Sequence, residues 1–232
     1  MARRKPTLEK QPAPVELRII GGHFRGSKLI YHGDPQTRPM KDRVREAIFN
    51  LITTECKGCH VIDLFAGTGA LGLEAISRGA QSATFIEKHV PTARVVAENI
   101  ATLKLEAQTS LLTTSAFLWS KRDLSLVEEM QTVSDLSKQN DSTKNLPPLD
   151  IPWLVFCSPP YAFYRDRQQE MLQLIANLKA SCPVKSIFVV EADEHFDFSL
   201  FPEGVQQEKR GPGWQVRTYA PAVVGVWRKN NS

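Results

Sequence analysis

The chain has 232 residues, 42% of them hydrophobic, which suits one sizeable core with a short appendage. Its formal net charge is +4, and no apolar run approaches the roughly 18 residues of a membrane span, so a soluble protein is expected. The basic start, Met1-Ala2-Arg3-Arg4-Lys5-Pro6, is not followed by an apolar signal-peptide core, which makes the cytoplasm the expected compartment.

Charge is concentrated at one end. Residues 1–46 hold eleven lysines and arginines against five acids, a local excess of +6 in a chain whose total is +4. A basic arm on a near-neutral body predicts phosphate contacts. Residues 1–16, with three prolines, read as a disordered basic tail. Residues 17–32 read as a hairpin: Leu17-Arg18-Ile19-Ile20, then Gly21-Gly22, then a run from His23 to Tyr31. Residues 41–54 fit a helix with Val44, Ala47, Ile48, Leu51 and Ile52 on one stripe, leaving Arg43 and Arg45 off it and able to face a partner. Cys56-Lys57-Gly58-Cys59 is a lone C-x-x-C before a strand, without a second pair or nearby histidines, and is read as structural; no metal site is expected.

From Val61 the pattern becomes βα. Strands are expected at Val61–Phe65, Ala83–Glu87 and Ser110–Thr113. Helices are expected at Ala70–Arg78, closed by Gly79, and through Ala93, Val96, Ala97, Ile100 and Leu103. Residues 120–150 carry ten charges and neither glycine nor an aromatic. They read as a polar insertion: Leu124, Val127, Met130 and Val133 fit a weak amphipathic helix, and Lys138–Pro148 a mobile loop. The pattern resumes with a strand at Trp153–Cys157, a helix at Met171–Leu178 and a strand at Ile187–Glu191. Two β segments, Gln215–Tyr219 and Ala222–Trp227, follow without a helix between them. This alternation predicts an α/β fold, a mostly parallel sheet covered on both faces with an antiparallel edge. The expected division is a tail at 1–16, a phosphate-contacting hairpin and helix extension at 17–57, and a main domain at 58–232.

Two motifs carry chemistry. Asp63-Leu64-Phe65-Ala66-Gly67-Thr68-Gly69-Ala70-Leu71-Gly72 is a strand, a glycine turn and a helix N-terminus. Gly67-x-Gly69-x-x-Gly72 satisfies the dinucleotide fingerprint, with Glu87 twenty residues on. Asp63, however, would repel a pyrophosphate, whereas it suits a ligand with an ammonium group. S-adenosylmethionine (SAM) carries an ammonium and a sulfonium but no phosphate, and Glu87 can hydrogen-bond ribose hydroxyls. The second motif, Ser158-Pro159-Pro160-Tyr161, follows an apolar strand. Proline fixes a backbone carbonyl in place, Ser158 adds a hydroxyl, and Tyr161 offers a ring on which a base can stack. A hydroxyl and a carbonyl side by side can accept both hydrogens of an exocyclic amine and aim its lone pair at a methyl group.

These residues resemble the RsmD family of bacterial methyltransferases that modify guanine N2 in small-subunit ribosomal RNA. The likeness lies in Arg18-Ile-Ile-Gly-Gly-His-Phe-Arg-Gly26, Arg38-Pro39, Asp42-Arg43-Val44-Arg45-Glu46, the segment Val61–Gly79, and the corner Ser158–Tyr161. The resemblance implies a Rossmann-like class I SAM methyltransferase with a seven-stranded mixed sheet and an N-terminal hairpin extension. It further implies SAM as cofactor, ribosomal RNA or an assembled small-subunit particle as partner, and a monomer. Candidate cofactor contacts are Asp63, Phe65, Ala66, Gly67, Thr68, Gly69, Glu87, Lys88, Ser115, Ala116 and Arg38. Catalytic candidates are Ser158, Pro159, Pro160 and Tyr161; RNA-contact candidates are Arg18, Arg25, Lys28, Arg43 and Arg45. The family corner usually begins with Asp or Asn where this chain has Ser158; an acid or amide is usual where Ser115 stands, and threonine where Met40 follows Arg38-Pro39. The Ser-Pro-Pro-Tyr spelling is similar to DNA cytosine-N4 methyltransferases, so a DNA amino-methyltransferase acting on cytosine N4 or adenine N6 is one alternative. A catalytically silent RNA-binding relative is the other.

Overall fold

The computed structural model describes residues 17–33, 40–124, 146–208 and 211–230. The expected tail, Arg38, and the helix and most of the loop expected within 120–150 lie outside the described residues. The strands are β1 (Leu17–Arg18), β2 (Lys28–Leu29), β3 (His60–Asp63), β4 (Ser82–Ile86), β5 (Thr109–Leu112), β6 (Trp153–Cys157), β7 (Ile187–Asp193), β8 (Gln215–Tyr219) and β9 (Ala222–Arg228). The α-helices are α1 (Asp42–Ile52), α2 (Ala70–Ser77), α3 (Val90–Thr102), α4 (Ala116–Arg122), α5 (Ala162–Asp166) and α6 (Gln168–Ser181). No helix among the described residues is long and apolar enough to cross a membrane.

Seven of these strands form one mixed sheet in the order β5-β4-β3-β6-β7-β9-β8. The first five are parallel, and β9 and β8 join antiparallel as the edge the sequence predicts. Strands β3 and β6 are buried along their whole length because helices cover both faces, which is why they read as near-continuous apolar runs. Side-chain alternation divides them between two cores. Val61, Leu154, Phe156 and Val189 face α1, α2 and α3; Ile62, Trp153, Val155, Phe188 and Val190 face α4 and α6.

The extension forms the expected hairpin with short strands. β1 and β2 pair antiparallel through Leu17↔Leu29 and Arg18↔Lys28, and Ile19 continues the pairing, donating to the Ser27 carbonyl at 2.9 Å and accepting from the Gly26 amide at 2.8 Å. Beyond Ile19 the tip of the hairpin bonds to helix α2. Glu74 accepts from the Ile20 and Gly21 amides at 2.7 and 2.8 Å, and Ser77 Oγ accepts from the Phe24 amide at 2.9 Å. Gly22 sits at φ +78° with the Ser77 carbonyl 1.9 Å from where a Cβ would stand, so no side chain fits there.

Helix α1 corrects one expectation. Its buried face is Val44, Arg45, Ile48, Phe49 and Ile52, one step around from the predicted stripe. Arg45 is therefore fully buried, donating to Asp42 at 3.0 Å and to the Arg18 carbonyl, with Glu74 at 3.9 Å. It cannot reach a phosphate. Glu74, also fully buried, pairs with Arg78 at 2.7 Å, so one carboxylate joins the extension, α1 and α2. Glu74→Ala removes the acceptor of the half-buried Ile20 and Gly21 amides and leaves the buried Arg45 without that neighbour; a loss of about 3–5 kcal/mol in urea unfolding is expected. A loss below about 1 kcal/mol, as for a surface pair, would contradict this role.

Candidate active site

Strand order reverses between β3 and β6, since the chain moves outward through β4 and β5 before returning to β6 and β7. In open α/β sheets such a reversal leaves a crevice at the carboxyl ends of the strands. Here it opens into a cavity of about 610 Å³, within the range of small-molecule sites. The cavity is lined by the segments that follow β3, β4, β5 and β6, by Glu191 of β7, by the start of α1, and by the β8–β9 turn.

The glycine turn forms one wall. Gly69, at φ +79°, is the residue before α2 and takes the left-handed conformation that the tight turn demands. Gly72 is bare for a different reason: a Cβ there would lie 2.3 Å from the Phe85 ring, so helix and sheet could not pack this closely. Asp63, at the end of β3, accepts from the Gly72 amide at 3.2 Å. Glu87, just past β4, accepts from the Gly67 and His89 amides at 3.0 and 2.8 Å. The Gly67 and Gly72 amides are thus already bonded to carboxylates. That arrangement disfavours an anionic ligand and fits one with ammonium and ribose groups. Asn99 of α3 ties the turn to the extension, donating to the Thr68 carbonyl at 2.9 Å and bonding the Ile30 backbone at 2.6 and 3.1 Å.

The opposite wall is the corner after β6. Pro159 is buried, Ser158 and Tyr161 are half-buried, and α5 begins directly afterwards, with Phe163 N donating to the Pro160 carbonyl at 2.9 Å. Ser158 Oγ donates to Glu191 Oε2, and Tyr161 OH donates to Glu191 Oε1 at 2.9 Å. Phe65, Phe117 and Phe163 form an aromatic cluster with ring centroids 5.9–6.0 Å apart, capped by the Arg167 guanidinium 3.9 Å from the Phe117 ring.

Most of the predicted residues converge here. Asp63, Phe65, Ala66, Gly67, Thr68, Glu87, Lys88, Ser115, Ala116, Ser158, Pro159, Pro160 and Tyr161 line the cavity, whereas Gly69 shapes the turn without lining it. Arg43 lines the opening and donates to the Ala220 carbonyl at 2.8 Å, closing α1 against the β8–β9 turn. Arg18, Arg25 and Lys28 are exposed on the extension, and Arg45 belongs to the interior. Sequence reasoning missed Glu191 and Asn99. A lone acid late in the apolar run Ile187-Phe-Val-Val-Glu191 was the available signal for the first.

The strand order and glycine turn define the Rossmann-like fold of the SAM-dependent methyltransferases. An RNA methyltransferase from Salinibacter ruber, solved with S-adenosyl-L-homocysteine, shares this fold at 12% identity and a TM-score of 0.50, over 84% of this chain and 95% of that one. A family model described as Conserved hypothetical protein 95 matches residues 17–212, and the chain belongs to this family, the RsmD family. Ribosomal RNA small subunit methyltransferase D of Escherichia coli K12 is 47% identical over 89 residues, 38% of this chain and 45% of that protein. The chain thus spans about half the length of this relative. The Haemophilus influenzae protein of the same name is 33% identical over 156 residues, 67% of this chain and 69% of its own length.

Burial pushes the Asp63 carboxyl up to about 7, against the one amide bond from Gly72 that favours its charge. The folded protein therefore holds a proton between about pH 4 and 7 that the unfolded chain releases, and stability falls as pH rises through that window. Asp63→Asn keeps an acceptor for Gly72 and cannot titrate. It is expected to remove up to about 1.4 kcal/mol per pH unit from the slope of unfolding free energy between pH 5 and 7. Equal slopes in the two proteins would show that Asp63 is not the group responsible.

Proposed function

We propose that this protein transfers a methyl group from SAM to the exocyclic N2 of a guanine in small-subunit ribosomal RNA. The observation that carries the reading is that the glycine turn and the Ser-Pro-Pro-Tyr corner open into one cavity, so cofactor and target base can lie side by side. The names of the relatives support RNA of the small subunit as substrate.

Asp63 and the turn Phe65–Gly69 would hold the amino acid end of the cofactor, Glu87 its ribose, and Lys88, Ser115 and Ala116 its base. SAM supplies a methyl group on a sulfonium, which departs as a neutral thioether. The remaining work falls to the chain. Ser158 Oγ donates a hydrogen bond to Glu191, which leaves its lone pairs as acceptors for an amine hydrogen. With the Pro159 carbonyl as second acceptor, the amine is held with its lone pair out of conjugation, and catalysis proceeds by positioning. Tyr161 supports the base by stacking. The extension at 17–57 would hold RNA phosphates through Arg18, Arg25, Lys28 and Arg43, while the domain at 58–232 carries the reaction. We place the protein in the cytoplasm, acting as a monomer.

Methyl-labelled SAM incubated with the protein, ribosomal RNA and DNA tests this reading; label is expected in the RNA. Label only in DNA supports an amino-methyltransferase of DNA, and label in neither supports a silent relative. Calorimetry is expected to show binding of S-adenosylhomocysteine and none of NAD, with Asp63→Ala weakening the former by about 1.5–3 kcal/mol. RNA affinity should fall steeply with salt, and removing Arg25 or Lys28 should lower that salt slope by about one each.

A further inference from the structure

We propose that Glu191 selects guanine, its carboxylate accepting the ring N1–H and one N2–H of the target base. The inference rests on the amine-methylation reading above and adds the residue that decides which base is accepted. Strands β6 and β7 run parallel with Cys157 opposite Val190, so Glu191 stands level with Ser158 at the carboxyl end of the sheet. It is 7% exposed and lines the cavity.

A carboxylate this deeply buried is normally paired with a cation. Among the described residues, none of the ion pairs involves Glu191. Its side chain instead accepts one hydroxyl on each oxygen, from Ser158 and from Tyr161. A carboxylate has about four lone-pair sites, so about two remain. What it can offer a flat ligand is a pair of adjacent acceptors at the corner where the amine must sit.

Three bases carry an exocyclic amine, and they differ at the neighbouring ring nitrogen. In guanine N1 carries a hydrogen, so N1–H and N2–H form two adjacent donors that match a carboxylate. In adenine N1, and in cytosine N3, that nitrogen carries a lone pair, which a carboxylate oxygen repels. One N2–H then lies between Glu191 and the adjacent Ser158 Oγ, and the second goes to the Pro159 carbonyl; drawing that second N–H out of the base plane takes the N2 lone pair out of conjugation. Glu191 thereby favours the guanine outcome over both DNA alternatives.

The test uses a ribosomal RNA fragment with guanine or 2-aminopurine at the methylated position; 2-aminopurine keeps the amine but has a lone pair at N1. The wild-type protein is expected to prefer guanine by about 10- to 100-fold in kcat/KM. In Glu191→Gln, whose amide can donate to N1, the preference should shrink to about 3-fold or less, with S-adenosylhomocysteine affinity unchanged. Glu191→Asp keeps a carboxylate and should retain the preference at a lower rate, which decides the matter if the glutamine variant folds poorly. Equal methylation of both fragments by the wild-type protein, or equal losses on both in Glu191→Gln, would overturn the role of Glu191 alone. Methylation of adenine or cytosine with none of guanine would instead overturn the guanine reading itself, and this inference with it.

Discussion

The reversal of strand order between β3 and β6 is the constraint on which the rest of this molecule depends. Parallel strands deliver their carboxyl ends to one edge, and the reversal sends the following segments apart so that a crevice remains. The glycine turn after β3 and the proline corner after β6 are neighbours only for that reason; about ninety residues separate them in sequence. A cavity that joins a cofactor wall to a substrate wall follows from topology before any particular side chain is considered.

Three carboxylates then give the crevice its character. Asp63 and Glu87 occupy the Gly72 and Gly67 amides, and Glu191 takes the hydroxyls of the corner. Acids beside these donors disfavour phosphate and favour amines and hydroxyls. The same glycine spacing that serves dinucleotides elsewhere is here turned to a different class of ligand by the acids around it. The extension is part of this arrangement. Glu74 and Asn99 bond it to α2 and to the glycine turn, and Arg43 closes it against the sheet edge.

The sheet was legible in the sequence because interior parallel strands are continuous apolar runs, and their alternation with helical stripes has few other solutions. The glycine turn and the corner were legible because glycine and proline impose backbone geometry locally. What escaped was decided by tertiary contact. Arg45 reads as a surface cation, yet its position beside Phe49 and Ile52 buries it, with Asp42 at 3.0 Å and Glu74 at 3.9 Å beside its charge. The hairpin tip bonds to Glu74 and Ser77 of α2, a contact that no local pattern announces. Glu191 was read only as the end of a strand, since nothing local shows that two hydroxyls from a segment thirty residues away will meet it. Asn99 looked like any polar residue on a helix.

The central claim is methylation of guanine N2 in small-subunit ribosomal RNA. The most direct measurement is nucleoside mass spectrometry and position mapping of that RNA from a strain lacking the gene, with and without the protein restored. The account predicts that one N2-methylguanosine is absent in the deleted strain and returns with the wild-type protein. An unchanged set of N2-methylguanosines in the deleted strain would contradict it.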